Sequence, residues 1–184
     1  MCRFDRIILF FSRDVEDFSL VDWLIKALNG VFEVDVKLGG QFDLPDWAYS
    51  DKRGQYRADI ILNEFSRLHS RNKDILLLVT DVDLFVPELN FVFGIASSIA
   101  GSCLISLTRL RNTFYALPED HELFMKRVLT EAVHEIGHVL GLSHCNNPRC
   151  VMYFSNSLSD TDRKGFLFCE RCKKVAGDAL CAAI

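Results

Sequence analysis

Residues 134–144 of this 184-residue chain read HEIGHVLGLSH and constrain its fold more than any other stretch. His134 and His138 are four positions apart, so on a helix both rings leave one face and can reach a single metal ion. Gly141 can adopt a positive φ at the helix end, which allows the chain to turn and bring His144 to the metal from outside the helix. The sequence therefore predicts a helix, a sharp turn and a three-histidine metal site.

Glu135 adds hydrolytic chemistry to this site. Three neutral imidazoles leave one tetrahedral position of a zinc ion for water, and zinc lowers the pKa of that water to roughly 7. Glu135 can reach the water without being a ligand and act as its general base. A helix with a solvated histidine and glutamate face is the alternative, and the fixed offsets of Gly141 and His144 argue against it. We expect a zinc-bound water, activated by Glu135, to attack a carbonyl.

Four of the seven cysteines have the spacing of metal ligands. Cys145 and Cys150 have four residues between them, and Cys169 and Cys172 form a CxxC. Two disulfides or four buried thiols are the alternatives, but the opening residues MCRFDRIILFFSRD lack the uninterrupted apolar run of a signal peptide, which disfavours disulfides. The spacing predicts a closed, structural zinc site that fastens the segment after the active-site helix to the C-terminal tail.

These residues also carry a family resemblance. The run HEIGHVLGLSHC, followed by Cys150, Met152, Cys169 and Cys172, resembles the signature of the archaemetzincins, a family of metzincin zinc metallopeptidases. The resemblance implies a catalytic zinc, a second zinc on the four cysteines, and Met152 in a turn beneath the catalytic metal. Tyr153 follows that methionine; we expect it to pack, although a tyrosine near this position reaches the zinc in some metzincins.

The remaining sequence predicts an α/β (α+β) scaffold with a mixed, mostly parallel sheet and packed helices. Short apolar or alternating runs predict strands at 4–11, 31–36, 74–80, 91–95 and 102–108, and apolar periodicity predicts helices at 15–28 and 57–69. The residues from 38 to 56 collect glycine, proline and aromatic side chains and predict a long loop. We interpret it as a surface connection, and a role in the substrate cleft is the alternative.

The active-site helix is expected to begin just after Pro118 and to end near Leu140. On it, Glu131 lies one turn before His134 on the same face; we expect it to be solvated, and a position lining the cleft is the alternative. A further helix, capped at Ser159 or Asp160, should form the lower lip of the cleft. We therefore predict an N-terminal α/β subdomain, 1–141, with the active-site helix, and a short, metzincin-like C-terminal subdomain, 142–184, with the methionine turn and the cysteine site.

The charge balance bears on partners. A net charge of −4 argues against nucleic acid, and we interpret the local basic cluster as a solvated face; its members are Arg163, Lys164, Arg171, Lys173 and Lys174. We expect a monomeric, cytoplasmic metallopeptidase without a membrane segment that acts on peptides or proteins, with aminopeptidase and endopeptidase activity both open. Two other hypotheses stay open: a zinc-stabilised binding or regulatory protein with an occluded metal site, and a nucleic-acid adaptor built on the cysteine site.

Overall fold

The computed structural model describes residues 3–69 and 73–180. These residues contain two β-sheets, five α-helices and three short 3-10 helices. In chain order the strands are β1 (Arg6–Ser12), β2 (Asp35–Phe42), β3 (Tyr49–Ser50), β4 (Gln55–Arg57), β5 (Asp74–Thr80), β6 (Leu84–Phe85), β7 (Gly94–Ser97) and β8 (Ser102–Ser106). The helices are α1 (Phe18–Phe32), α2 (Ala58–His69), α3 (His121–Val139), α4 (Leu158–Lys164) and α5 (Glu170–Leu180). The predicted mixed α/β fold is confirmed.

The larger sheet has the strand order β2-β1-β5-β8-β7. Its first four strands are parallel, and β7 pairs antiparallel with β8 at the edge. Helices α1 and α3 share a core with one face of this sheet, and α2 packs on the opposite face. All seven residues of β5 are buried, because a central parallel strand is covered on both faces and therefore consists of a continuous apolar run.

The first helix is longer than the sequence predicts. It begins after Asp17, whose carboxylate caps two backbone amides, passes through Gly30 and ends before Glu33, which has a φ of 51°. The predicted strand at 31–36 is therefore wrong in its first half, and β2 begins only at Asp35. Phe32 is completely buried in the core beneath the sheet, and this burial outweighs the local preference of Gly30 for ending a helix.

The segment 38–56 is not the continuous loop that its composition predicts. Its first residues belong to β2, and a β-carbon at Gly39 would overlap the ring of Phe10 on the neighbouring strand. Gly39 therefore serves close packing within a sheet rather than a turn. Further on, β3 and β4 join β6 in a second, three-stranded sheet.

The C-terminal part continues the same core. Helix α4 begins after Ser157, whose hydroxyl accepts the Asp160 amide, so the cap lies earlier than the predicted Ser159 or Asp160. Helix α5, which buries Cys172, Ala176 and Leu180, was not predicted from the sequence. Among the described residues, no helix has the length and apolar character needed to cross a membrane.

Candidate active site

Two of the predicted ligand histidines lie side by side near the end of α3. The Nε2 atoms of His134 and His138 are 3.2 Å apart. Their Nδ1 atoms lie 2.7 Å from the carbonyl oxygen of Val151 and 2.8 Å from that of Leu142, respectively. Because a carbonyl can only accept a hydrogen bond, each Nδ1 donates its proton, which leaves the lone pair of each Nε2 free for a metal.

The predicted turn brings the third histidine to the other two. Gly141 has a φ of 93°, and its amide donates to the carbonyl of His138 at 3.0 Å. This bond closes the end of α3 in the left-handed conformation that glycine adopts at little cost. The ring of His144 then lies with its centroid 4.9 Å from that of His138 and 5.5 Å from that of His134.

The donor set fits zinc. One ligand nitrogen from each histidine lies within 4.8 Å of the others. Zinc–nitrogen bonds of about 2.0–2.1 Å in a tetrahedron place ligand atoms roughly 3.3 Å apart, close to the separation of His134 and His138. Burial lowers the pKa of His134 well below its ordinary value and also lowers the pKa of His138 and His144, which favours the neutral form that binds metal. Three imidazoles leave a fourth position open.

Glu135 lies in the cleft against the edge strand of the sheet. A β-carbon at Gly94 would be 2.9 Å from Glu135 Oε1 and 2.6 Å from the carbonyl oxygen of Leu104, so only glycine leaves room for the carboxylate there. Burial raises the pKa of Glu135 to about 8; Glu131 adds to the rise and Lys164 opposes it. A buried carboxyl with a raised pKa is suited to accepting and returning a proton near neutral pH.

Glu131 is not solvated, so the favoured prediction is wrong; the structure instead places Glu131 in the lining of the cleft, which was the alternative. It is 2% exposed; its Oε1 accepts from Thr161 Oγ1 at 2.9 Å and lies 3.2 Å from Lys164 Nζ. The side chain of Lys164 is completely buried, and within the described residues its ammonium has no aligned hydrogen-bond partner. Helix α4 covers the face of α3 that carries Glu131. Glu131 and Lys164 therefore form a buried pair of opposite charges beside the histidines.

Met152 packs directly beneath the active-site helix. It is completely buried, and a β-carbon at Gly137, between the two ligand histidines of α3, would overlap its sulfur. The carbonyl of Met152 accepts the amide of Cys145 at 2.8 Å. Tyr153 is half-buried, and the described lining of the cleft does not include it, which is consistent with the expectation that it only packs.

The four predicted cysteine ligands converge as a second donor set. Their sulfurs lie within 4.8 Å of one another, and those of Cys145 and Cys169 are 3.9 Å apart. That separation is too long for a disulfide between these two, which requires about 2.05 Å, and all four cysteines are free thiols in the structure. It matches the roughly 3.8 Å edge of a tetrahedral zinc–thiolate site. Cys150 accepts the amide of Cys169 at 3.3 Å, and Arg171 Nη2 lies 3.4 Å from the sulfur of Cys145.

Thiol acidity differs within this cysteine set. A hydrogen bond from the backbone of Cys172 lowers the pKa of Cys169 to about 7. Burial raises the pKa of Cys150 and Cys172. Since thiolate is the form that binds zinc, this hydrogen bond favours the ligand form of Cys169.

The histidines and Glu135 form the floor of a cleft of about 680 Å³. One wall is the segment from Val86 to β7, and the other contains Phe154, Ser155 and Asn156. Residues 38–56 do not line the cleft.

Lys164 is buried, so it is not part of the predicted solvated basic face; the other four members of that cluster are exposed.

Three residues of the site were not found by sequence reasoning. Gly137 offered a signal, because glycine inside a helix costs up to about 1 kcal/mol and needs a packing reason. Gly94 and Lys164 offered none, because their importance arises from contacts with residues distant in sequence.

Comparison with known proteins agrees with this geometry. The model of peptidase family M54 matches residues 7–176. The archaemetzincin of Methanocaldococcus jannaschii is 44% identical over 165 residues, covering 90% of this chain and 89% of that protein. A zinc-dependent peptidase from Methanocorpusculum labreanum superposes with a TM-score of 0.84 at 31% identity, over 92% of this chain and 99% of that one. The crystal structure of archaemetzincin from Methanopyrus kandleri gives 0.82 at 36% identity, over 96% of each chain.

The fold, the three-histidine cleft and these similarities define a zinc metallopeptidase. The chain belongs to peptidase family M54, and its similarity to archaemetzincins confirms the family resemblance that its motifs indicate. The family also favours the peptidase over the hypothesis of a zinc-stabilised binding protein.

Proposed function

We propose that the chain hydrolyses peptide bonds in the cleft, with His134, His138 and His144 as ligands of a catalytic zinc and Glu135 as the general base. One observation carries this proposal: three histidine nitrogens converge beside a buried carboxylate at the floor of an open cleft. When bound, zinc supplies a Lewis acid that polarises the scissile carbonyl and lowers the pKa of water at its open position.

Glu135 carries the proton through the reaction. Its carboxylate takes a proton from the attacking water and later gives that proton to the nitrogen of the leaving amine. The buried position against Gly94 holds the carboxylate in one place and excludes bulk water from it. The hydrogen bonds from His134 to Val151 and from His138 to Leu142 fix the ring orientations during the reaction.

An extended peptide is the substrate that this cleft suits. Gly94, Ile95 and Ala96 of β7 line it, and β7 is the last strand of its sheet. The outer edge of such a strand presents backbone groups that can pair with a peptide chain. The apolar side chains of Phe91 and Phe93 beside this edge can receive substrate side chains.

We propose a second, structural zinc on Cys145, Cys150, Cys169 and Cys172. Four thiolates close the coordination shell, so this ion stabilises the fold and does not contact substrate. Arg171 and two backbone amides near the sulfurs offset the negative charge of the thiolates. Met152 would support the histidine site from below, as the turn methionine of the family resemblance. The subdomain boundary between 141 and 142 and the monomeric state stay predictions.

The test combines metal analysis with a peptide library. We expect two zinc ions per chain in the purified protein, cleavage by the wild type, and no cleavage by Glu135→Ala or Glu135→Gln variants that retain both ions. His138→Ala should lose the catalytic zinc alone. Unchanged turnover in a Glu135 variant would refute the mechanism, and a single zinc per wild-type chain would refute the assignment of two sites.

A further inference from the structure

One wall of the cleft is a short segment whose ends, including the buried Phe93, pack against the core and whose middle has little packing of its own. The wall segment, residues 86–93, connects β6 to β7 and lines the cleft with Leu89, Asn90 and Phe91 among others. Its residues from 87 to 90 are exposed. A segment of this kind depends on hydrogen bonds to its backbone for a defined shape.

A group of side chains behind the wall segment supplies those hydrogen bonds. The Nη2 atom of Arg53 donates to the carbonyl oxygen of Asn90 at 2.8 Å and to that of Leu89 at 3.2 Å. The Nε2 atom of Gln55 donates to the same Asn90 carbonyl at 3.1 Å. Arg53 Nε also donates to Gln55 Oε1 at 2.9 Å, so the two side chains hold each other.

The contacts continue from Gln55 to the apolar part of the wall segment. Gln55 is 6% exposed, and its Nε2 atom donates to Asp83 Oδ2 at 3.0 Å. Asp83 in turn accepts two hydrogen bonds from Arg109, at 2.6 and 2.8 Å. The guanidinium of Arg109 lies over the ring of Phe91, 4.3 Å from its centroid. Arg53, Gln55, Asp83 and Arg109 therefore form one connected set, the polar clamp.

We propose that the polar clamp positions the wall segment and thereby sets the affinity of the cleft for substrate. Arg53 is its central positioning residue, because it binds two backbone carbonyls of the wall segment at once. None of the four clamp residues lines the described cleft, so they act through Leu89, Asn90 and Phe91 rather than by touching substrate. This inference rests on the proposed peptidase function. It also gives residues 49–57 an indirect role in the cleft.

The expected effect of removing Arg53 follows from the strength of its bonds. Hydrogen bonds to a charged donor are among the stronger ones in proteins, and losing them should raise the opening equilibrium of the wall segment about tenfold or more. Substrate must then pay for ordering the segment, so KM rises about tenfold. The reacting groups on α3 are untouched, so kcat stays within about twofold of the wild-type value.

The experiment compares Arg53→Ala, Arg53→Lys and a matched control, Arg67→Ala. Arg67 is also an exposed arginine in a two-bond ion pair, with Glu64 on α2, and it does not contact the wall segment. Hydrogen exchange of the amides of residues 86–93 and the steady-state constants for one library-derived peptide are measured for each zinc-loaded protein. We expect faster exchange and higher KM for Arg53→Ala, partial rescue by Arg53→Lys, and wild-type behaviour for Arg67→Ala.

The two readouts separate this inference from the proposed function. Wild-type exchange in Arg53→Ala would overturn the clamp, even if no peptide were ever cleaved. Faster exchange with an unchanged KM, or a loss confined to kcat, would overturn its role in substrate affinity. Failure of the wild type to cleave any peptide would refute the proposed function, and the exchange data would still decide whether the clamp orders the wall.

Discussion

At the scale of single residues, space at Gly94 is as important to the site as the chemistry of Glu135. The φ of Gly94 is not in the left-handed region, so an alanine could adopt the same backbone dihedral angles at this position. The β-carbon of alanine, however, would collide with the backbone of β8 and with the Glu135 carboxylate. Gly94 therefore determines where the carboxylate of Glu135, the proposed general base, can lie, because it leaves space for that side chain.

We predict that Gly94→Ala lowers kcat about tenfold or more while both metal sites stay loaded, because the base is displaced from its position. Zinc content and steady-state kinetics measure this. Gly30→Ala is the matched control: nothing lies within 4 Å of its β-carbon, and alanine in the interior of α1 should stabilise the protein by about 0.5–1 kcal/mol with unchanged kcat. Full activity in Gly94→Ala would contradict the placement of Glu135.

The raised pKa of Glu135 predicts a pH dependence of stability for the metal-free protein. Its pKa rises from 4.5 to about 8 on folding, so between these values the folded chain holds a proton that the unfolded chain has released. Stability should therefore fall as pH rises through this window. Glu135→Gln cannot titrate, so its stability should fall less.

Urea unfolding of both metal-free proteins at several pH values between about 5 and 8 measures the difference. The histidines, whose pKa values are lowered by burial, work in the opposite direction below pH 6.5, and they do so equally in both proteins. Parallel stability curves for the wild type and Glu135→Gln would show that the carboxyl does not carry the proton on folding.

At the scale of elements, the contact between α3 and α4 contains two charged pairs. Arg127, 4% exposed, binds Asp162 through two hydrogen bonds, and Glu131 binds Thr161 and Lys164 one turn further along α3. A buried ion pair adds little net stability, but removing one partner leaves an uncompensated charge.

We predict that Lys164→Met and Glu131→Gln each lower the free energy of unfolding by about 3–5 kcal/mol, and that the double variant loses much less than the sum. Chemical denaturation of the zinc-loaded proteins measures all three. Arg163→Met, on the exposed face of the same helix, is the control and should cost less than about 0.5 kcal/mol. Additive losses would mean that the two charges do not interact.

The local sequence patterns correctly predicted those helices and strands in which the apolar positions of the pattern are also the buried positions. The run of β5 and the stripe of α3 are examples, since each packs in the way its sequence pattern indicates. Predictions failed where a distant partner decided the outcome: Phe10 explains Gly39 in β2, the core explains Phe32 in α1, and Lys164 explains the burial of Glu131. The residues of both donor sets, which the structure brings together, could be predicted because metal coordination requires fixed spacing.

At the scale of the whole molecule, the two proposed metal sites are joined by one short stretch of chain. His144 and Cys145 are adjacent, and the Cys145 amide donates to the carbonyl of Met152. The neighbouring carbonyl, that of Val151, accepts the Nδ1 proton of His134. The segment that holds Cys145 and Cys150 therefore also orients His134 and carries His144, two of the proposed catalytic ligands.

Cys172 lies far from the histidines in sequence. We predict that Cys172→Ser nevertheless weakens zinc binding at the histidine site about 10- to 100-fold, which is the range observed when groups that orient metal ligands are lost. Chelator competition on wild type and variant measures both affinities. Cys103→Ala is the control, because Cys103 is a buried free thiol outside both donor sets. If the histidine site kept its wild-type affinity after the cysteine zinc was lost, the two sites would fold independently, and the C-terminal zinc would serve only its own segment.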